Sequence, residues 1–526
     1  MRADNLRIVT APRVERAPSI DPDRLDALAV DVRAVRPNLI DGWEATALVE
    51  SLGYTDGRVQ RELGLNDTRE AGEYVYSQSS ALPRAPEARW TPKTESLQTI
   101  VLRSAASTLI YAVPWLAVFV AQTVRPNAMS LPGEVAPSLA LALMFSLVAS
   151  GGFVQAIVRR GEFYVGMRQF GLARHVVDGL FRLGVATTVV AAAAGVVVGW
   201  YFELASWASL TLGADAFVVM SVLWMVCATF TIRRQQWRVA VSFAVGFVAF
   251  LVARTVGADP LTAQLVAATT LLIAAIIQSR GVFADGGGLK ARTTGVPLPR
   301  LSVLVYSTLP YFWYGVAYFS FLFADRLTAG TARATSASAS FGIPAPYMMG
   351  MELALLTLLV GASGVEVAGA LFARAIVKES VRPFHGNSKP LSGTMRRHHA
   401  GALALALITF VFAAVAIMSW APQFLPEGLS QQARTLMLLG DIGYGLLAIG
   451  FVNALALFQL RLPWAAVRAL TIALFINLVC GYILSHIFGS NYAVAGLIVG
   501  GAFFASASTL DVFRSLRHPD YSYALG

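Results

Sequence analysis

The stretch 302–327, SVLVYSTLPYFWYGVAYFSFLFADRL, indicates what class of protein this chain belongs to. It is an apolar segment that carries nine aromatic residues, contains Pro310 and closes on the charged pair Asp325–Arg326. A second apolar segment follows and contains two carboxylates, Glu352 and Glu366. Broken helices and acidic side chains inside long apolar segments are typical of a pathway through a lipid bilayer. The stretch therefore predicts a membrane bundle with a polar interior.

The composition of the whole chain agrees with an integral membrane protein. Of its 526 residues, 56% are hydrophobic and 14% are charged, and the mean hydropathy is +0.60, whereas a soluble protein carries about 25% charged residues. The net charge is +10, but the cations lie in loops and a tail, where membrane topology and anionic lipid account for them, so we expect no nucleic-acid partner. Cys227 and Cys480 lie in apolar segments, so they predict neither a disulfide framework nor a metal centre.

Residues 1–97 are polar and contain no apolar run typical of a cleavable signal peptide. Residues 1–37, rich in Arg, Asp and Pro, predict a flexible tail, and residues 38–97 predict a small helical module with its linker. Asp41 and Thr55 are candidate N-caps of two helices, and a third is expected over 68–76. The expected core of this module is Trp43, Leu48, Leu52, Val59, Leu63 and Tyr74. The module is either an adaptor for a cytoplasmic partner or a solvated extension.

Twelve apolar segments follow, each long enough to cross roughly 30 Å of hydrocarbon. Six lie in residues 98–280 and six in 302–513, with a Gly-rich, basic linker at 281–301 and a tail at 514–526. The segments are 98–123, 135–158, 180–202, 212–232, 237–256, 261–279, 302–325, 343–372, 399–420, 433–458, 464–487 and 492–513.

The distribution of Lys and Arg predicts the orientation of these segments. If both termini are cytoplasmic, the inner loops and the C-terminal tail hold 22 cations and the outer loops hold 5. Cytoplasmic loops carry an excess of Lys and Arg, so this ratio favours an even number of spans in the cell membrane with both termini inside. The basic stretch 159–183 is expected to lie on anionic lipid or to dock a cytoplasmic partner.

Signatures of catalysis, such as a phosphate-binding loop or a zinc-protease motif, are missing from the sequence. We therefore expect no enzyme activity, no catalytic residue and no cofactor. His398–His399 lies beside two arginines at the head of a segment, where an interfacial basic cluster is a better interpretation than a metal site.

Polar residues inside the apolar segments are the candidates for a substrate cavity or for ion coupling. Glu352 and Glu366 are separated by 14 positions, so on a helix they lie about 40° apart and roughly 21 Å along the axis. The cavity is favoured for Glu352 and Asp441, and the membrane interface for Glu366 and Asp325–Arg326, which lie near segment ends. The full candidate set is Glu352, Asp441, Asn453, Asn477, Glu366, Asp325 and Arg326.

The order of these features resembles the PelG family of exopolysaccharide transport proteins, within the multidrug/oligosaccharidyl-lipid/polysaccharide (MOP) flippase superfamily. The resemblance covers roughly residues 98–523 and leaves the N-terminal extension outside it. It rests on short motifs: Arg174, Asp178 and Phe181 in RHVVDGLF; Trp224 and Met225 in VLWMV; Asp325–Arg326 in FLFADRL; Glu366 in SGVEVAGALF; and Asp511, Tyr521 and Tyr523 near the end. The family pattern has Asp-Lys where this chain has Asp325–Arg326.

The resemblance implies an all-α polytopic membrane protein of about 12 transmembrane helices in two six-helix lobes around a central cavity (MATE/MOP-like). It implies export or flipping of an exopolysaccharide or lipid-linked glycan, beside a cytoplasmic glycosyltransferase and other membrane subunits. Two alternatives stay open. One is an ion-coupled multidrug or lipid exporter of the same superfamily, and the other is a scaffold that anchors a polysaccharide synthase and transports nothing.

Overall fold

The computed structural model describes residues 22–35, 39, 41–81, 96–124, 135–167, 169–282, 301–333, 342–380, 389–424 and 428–517. The chain divides into two compact units, Met1–Thr94 and Glu95–Gly526. All regular elements in the described ranges are helical. The hinge expected at 281–301 and the closing tyrosines at 521–523 fall almost wholly outside the described residues.

The first unit contains four short helices around a small apolar core. Asp41 caps the second helix, since its carboxylate accepts a hydrogen bond from the backbone N–H of Glu44 at 2.8 Å. Asp67 caps the fourth helix in the same way, through the N–H of Glu70 at 2.7 Å. The helices are α1 Pro22–Val35, α2 Gly42–Ser51, α3 Asp56–Glu62 and α4 Thr68–Ser80.

Two expectations for this unit were wrong. The region expected to be a flexible tail contains α1, which buries Leu25, Leu28 and Val32 in the same core as α2 to α4. Trp43 and Leu52, expected in the core, are 66% and 37% exposed.

The described residues of the second unit contain twelve long helices, one for each predicted span. Ten of them are long and apolar enough to cross a membrane. The other two, α5 and α11, have 28 and 33 residues, which at about 1.5 Å per residue also exceed 30 Å. The helices are α5 Leu97–Val124, α6 Ala136–Gly166, α7 Phe170–Tyr201, α8 Trp207–Ile232, α9 Trp237–Thr255, α10 Pro260–Arg280, α11 Leu301–Arg333, α12 Ala345–Ser380, α13 Lys389–Trp420, α14 Gln431–Gln459, α15 Pro463–Phe488 and α16 Ala493–Ser515.

The stretch 159–183 is not a separate surface segment. It consists of the last turns of α6, a short break and the first turns of α7, because both helices continue past their apolar runs. Arg174 and Asp178 lie one turn apart on α7 and form an exposed ion pair with an N–O distance of 3.7 Å.

The neighbours of α11 and α12 determine the shape of the interior. Although consecutive in the chain, these helices pack on different partners: α11 on α6, α15 and α16, and α12 on α5, α13 and α14. The two halves of the bundle therefore meet through α5 with α12 and through α6 with α11. α11 and α12 therefore lie on two sides of the interior, and long side chains connect them.

Close contact between α6 and α11 depends on glycine. A Cβ atom on Gly315 would lie 2.7 Å from the carbonyl carbon of Gly151, so no larger residue fits at this crossing. Below it, Phe153 meets Phe312 edge to face with ring centroids 5.0 Å apart. Further along, Arg160 Nε donates to the hydroxyl of Thr308 at 2.7 Å. The crossing fixes α11 against the other half of the bundle.

Candidate functional site: a buried charged cluster between α11, α12 and α14

Arg326 is the centre of the candidate site. It lies on α11, its side chain is fully buried, and it is the largest side chain buried to that degree in the described ranges. Its Nη1 atom donates to the Tyr444 hydroxyl at 2.8 Å and to the Leu322 carbonyl at 3.1 Å, and lies 3.3 Å from Asp325 Oδ1. Its Nη2 atom donates to the Met351 carbonyl at 3.0 Å. The guanidinium thus joins α11 to α12 and α14.

Two carboxylates balance this cation. Asp325 is fully buried and accepts a hydrogen bond from the Tyr347 hydroxyl at 2.9 Å. Glu352 lies on α12 with one carboxylate oxygen 3.6 Å from Arg326 Nε, and its side chain keeps 33% exposure. Buried charges are tolerated when they are paired and hydrogen-bonded. The partial exposure of Glu352 indicates that the cluster borders solvent-accessible space.

Asp441 differs from Asp325 and Glu352 because no cation among the described residues pairs with it. It lies on α14, one turn before Tyr444 and close to the Thr357 hydroxyl of α12. The residue is 7% exposed, yet neither carboxylate oxygen has a hydrogen-bond partner in the described part of the chain. An unpaired carboxylate in this position is available to a cation, a proton or a substrate group.

The structure places Asp325–Arg326 differently from the sequence interpretation. The pair was expected at the membrane interface, at the end of its span, but α11 continues to Arg333 and both side chains have no exposed surface. In the sequence, a charged pair interrupts the apolar pattern and therefore resembles the end of a membrane span. Here the helix continues because the charges are neutralised by each other and by Glu352.

Glu366 lies further along α12 on the same side as Glu352. It is exposed to solvent although protein surrounds most of it, and it is close enough to Tyr318 of α11 to interact electrostatically. Since Glu352 faces Arg326 and Glu366 faces Tyr318, both carboxylates point towards α11, as their spacing predicts. Both therefore lie on the side of α12 that faces α11.

The aromatic residues of α11 mainly fill the interior by packing. Tyr314 meets Phe458 of α14 with ring centroids 4.9 Å apart, and Tyr318 meets Phe451 at the same distance. Trp313 donates to the hydroxyl of Thr471 on α15 at 3.1 Å.

Asn453 and Asn477 hold helices together. Asn453 on α14 pairs with Nε2 of the buried His399 at 2.9 Å and donates to the hydroxyls of Ser508 and Thr509 at 3.0 and 2.8 Å. His399 is therefore part of a buried network rather than of an interfacial basic cluster, and its Nδ1 has no partner among the described residues. Asn477 on α15 donates to the Phe321 carbonyl at 3.1 Å.

Sequence reasoning missed Tyr347, Tyr444 and His399 as members of these networks. Tyr347 and Tyr444 are fully buried with hydroxyls bound to the charged cluster. A tyrosine deep in an apolar span is the only signal in the sequence, because a buried phenol needs a polar partner. Within the described ranges no group of three His, Cys, Asp or Glu residues is placed to hold a metal ion.

Neither family models nor curated proteins give a match to this sequence. Solved structures do resemble it. The outward-facing form of a multidrug resistance MATE family transporter of the MOP superfamily superimposes with a TM-score of 0.57 at 13% identity, over 81% of this chain and 97% of that chain. A MOP superfamily transporter from Pyrococcus furiosus gives 0.54 at 14% identity, over 81% of this chain and 97% of that chain.

A MATE structure in the bent conformation gives a TM-score of 0.55 at 14% identity, over 82% of this chain and 98% of that chain. Identities this low establish the fold alone. The second unit is thus a multi-pass helical membrane bundle with the fold of MATE and MOP transporters, as the sequence predicted.

Proposed function

We propose that this chain is a cell-membrane transporter that moves an exopolysaccharide or a lipid-linked glycan and performs no catalysis. Asp441 carries the proposal. A buried carboxylate without a hydrogen-bond partner destabilises a fold, and inside a membrane bundle such a group is by default functional. The ion-paired cluster beside it holds α11, α12 and α14 in place around that carboxylate.

The glycan is favoured by two acceptors on the side of α12 that faces α11. Glu352 and Glu366 are solvent-accessible carboxylates on one side of α12, separated by roughly 21 Å along the helix. Such a spacing exceeds one sugar ring and suits the hydroxyl groups of an extended chain. The motif at Glu366 also belongs to the resemblance with the exopolysaccharide transport proteins.

The double variant Glu352→Gln with Asp441→Asn tests the proposal in cells that depend on this chain for polymer export. Export is expected to fall at least tenfold at normal protein level, because both neutral side chains keep their size and lose their charge. The matched control is Glu203→Gln with Asp215→Asn, which removes two exposed carboxylates of the same bundle and should leave export unchanged. Unchanged export in the first double variant would favour a scaffold that transports nothing.

An ion-coupled multidrug or lipid exporter is the second candidate, and Asp441 again favours it. If this carboxylate exchanges a proton or a cation during the cycle, Asp441→Asn alone abolishes the response of transport to an imposed ion gradient. Glu366→Gln, by contrast, should keep that response. Counterflow assays in proteoliposomes, with a drug and with a glycan offered separately, distinguish the two substrates.

The partners and the topology belong to the same proposal. We infer a cytoplasmic glycosyltransferase and further membrane subunits as partners, and cytoplasmic N- and C-termini. The proposed organisation keeps the lobes at 98–280 and 302–513, and extends the cytoplasmic module, expected at 38–97, to include α1. Affinity purification from mild detergent should recover the glycosyltransferase with the full chain, and loss of that subunit after deletion of residues 1–94 would assign docking to the N-terminal unit.

A further inference from the structure

Four arginines lie together where α8, α9 and α10 end or begin. Arg233 and Arg234 form the turn after α8, Arg238 lies in the first turn of α9, and Arg280 ends α10. The sequence contains no Asp or Glu between Asp215 and Asp259 to balance them. Glu162 is near enough to Arg234 to interact electrostatically, but it supplies only one negative charge. This end of the helices has a net positive charge.

Two of these arginines have a structural role that uses only a few of their N–H donors. Arg233 Nη1 donates to the carbonyl of Val282 at 2.7 Å, and Arg238 Nη1 donates to the carbonyl of Gln278 at 2.5 Å. Both carbonyls lie at the C-terminal end of α10, so the arginines cap that helix. A guanidinium carries five N–H donors, which leaves most of each side chain free for another acceptor.

The capping role leaves two buried atoms unexplained. Nε of Arg238 and Oε1 of Gln235 have no hydrogen-bond partner in the described part of the chain, although both are shielded by protein. The Nε atom is a donor that an anionic oxygen can satisfy. The Oε1 atom is an acceptor that a hydroxyl or an amine can satisfy. Gln235 precedes α9 and Arg238 lies in its first turn, so both unpartnered atoms belong to the end of the bundle where the arginines lie.

The surroundings of the arginines face lipid. Trp237, next to Arg238, is 56% exposed, and Ile277, next to Gln278, is 61% exposed. Val241 and Val245 continue the exposed aliphatic surface along α9. Tryptophan at the end of a span marks the level of the headgroups, and aliphatic side chains on such a surface meet acyl chains. A phosphate bound by these arginines therefore has lipid tails beside it.

We propose that Arg233, Arg234, Arg238 and Arg280 form a binding site for an anionic phospholipid, with phosphatidylglycerol as the best fit. Basic pockets between transmembrane helices bind anionic headgroups. The phosphodiester accepts from the free guanidinium N–H groups, Nε of Arg238 among them, and a glycerol hydroxyl donates to Gln235. The tails lie along Trp237, Val241 and Ile277. The site is independent of what the bundle transports.

The test is a comparison of lipid binding by the full chain in phosphatidylcholine nanodiscs, with phosphatidylglycerol added in steps and bound lipid counted by native mass spectrometry. Arg234→Gln with Arg280→Gln is the main variant, since both side chains are exposed and neither caps α10 in the structure. Each cation contributes on the order of 1 kcal/mol, so the variant should bind phosphatidylglycerol roughly 30-fold more weakly. Arg397→Gln with Arg434→Gln removes two exposed arginines elsewhere and should bind as the wild type does.

Gln235→Leu tests the contact with the glycerol group separately from the contacts with the phosphate. It should lower the preference for phosphatidylglycerol over phosphatidic acid, which lacks the hydroxyl, and leave the affinity for phosphatidic acid nearly unchanged. Wild-type affinity in Arg234→Gln with Arg280→Gln would overturn the site. Thermal stabilisation by inorganic phosphate or glycerol 3-phosphate equal to that by phosphatidylglycerol would also overturn it, because it would show a soluble anion as the ligand.

Discussion

At the scale of single residues, Arg326 is the position on which the buried cluster depends. Replacing it by Met leaves Asp325 and Glu352 without their cation, and breaking a buried ion pair costs about 3–5 kcal/mol of the free energy of unfolding. The loss should appear as a lower midpoint of thermal unfolding in detergent. Tyr347→Phe removes one hydrogen bond and should cost only about 1 kcal/mol.

Charge neutralisation should rescue the Arg326→Met variant. Adding Asp325→Asn and Glu352→Gln removes the two stranded carboxylates, so most of the lost stability should return. If the triple variant unfolds at the same temperature as Arg326→Met alone, shape rather than charge explains the defect.

Asn453 is expected to be the most sensitive polar residue among the helix contacts. Asn453→Leu removes the partner of His399 Nε2 and the donor to Ser508 and Thr509, which should lower the free energy of unfolding by about 1–3 kcal/mol. Asn491→Leu is the matched change, because Asn491 makes one exposed hydrogen bond, to Gln432. Equal unfolding temperatures for the two variants would contradict the assignment.

Asp56 should make the N-terminal unit sensitive to acid. Hydrogen bonds from the Thr68 N–H and hydroxyl, both at 2.9 Å, lower the pKa of the Asp56 carboxyl below its ordinary value of 3.8. A lowered pKa in the folded state contributes stability above pH 3.8, and that contribution is lost as the pH falls through the folded-state pKa. Hydrogen exchange of α3 and α4 peptides, corrected for intrinsic rates, should show protection falling in this range.

Asp56→Asn serves as the reference for that titration, since the amide does not ionise there. Its α3 and α4 peptides should be less protected at neutral pH and should lose no further protection specific to this acid range. Asp31→Asn, on the exposed side of α1, should behave as the wild type.

The candidate site could be predicted from the sequence only where one helix determines it. The spacing of Glu352 and Glu366 places both on one side of α12, and both face α11. The partners of Arg326 could not be found in this way, because Met351 and Tyr444 lie 25 and 118 positions further along the chain. Local patterns carry no information on which distant residues come together.

At the scale of helices, glycine contacts distinguish two G-x-x-x-G pairs of the sequence, Gly195/Gly199 and Gly496/Gly500. A Cβ atom on Gly496 would lie 2.6 Å from the backbone nitrogen of Gly481, so Gly496→Ala should force α15 and α16 apart and cost about 1–3 kcal/mol. Gly195 belongs to the same motif, but a Cβ there meets nothing within 4 Å. Gly195→Ala should leave the unfolding temperature unchanged or raise it slightly, because alanine favours helix.

Helices could be predicted where length and hydropathy suffice. All twelve spans were found because each apolar run is about as long as the hydrocarbon layer is thick. Their ends were less accurate, since α6 and α7 continue past their apolar runs on backbone hydrogen bonds that hydropathy does not report. The short helix α1 was missed because its apolar residues are few and lie among Asp and Arg.

At the scale of the whole molecule, an even number of spans places both ends of the bundle on one side. Alkaline phosphatase fused after Gly257, between α9 and α10, should be active, and a fusion after Arg461, between α14 and α15, should be inactive. The reason is the excess of cations in loops such as the one at Arg461. Activity at Arg461 and none at Gly257 would invert the proposed topology.

The packing arrangement of the twelve helices could not be predicted from the sequence. The cation pattern predicts their number and direction, but the pairing of α11 with α6 and α15, and of α12 with α5 and α14, depends on contacts such as Gly151 with Gly315. Glycine is common in membrane helices, so its presence alone does not identify the partner.

The long separation between Arg326 and Tyr444 also sets an order of events during synthesis. At about 5–20 residues per second, the 118 positions between them take roughly 6–24 s to translate, during which α11 is already made and α14 is not. Asp325 is the acidic partner of Arg326 that is available throughout that interval, because it is the adjacent residue. The neighbouring acid therefore makes α11 acceptable to the insertion machinery, and its loss should reduce membrane insertion of the nascent chain before any folded protein exists.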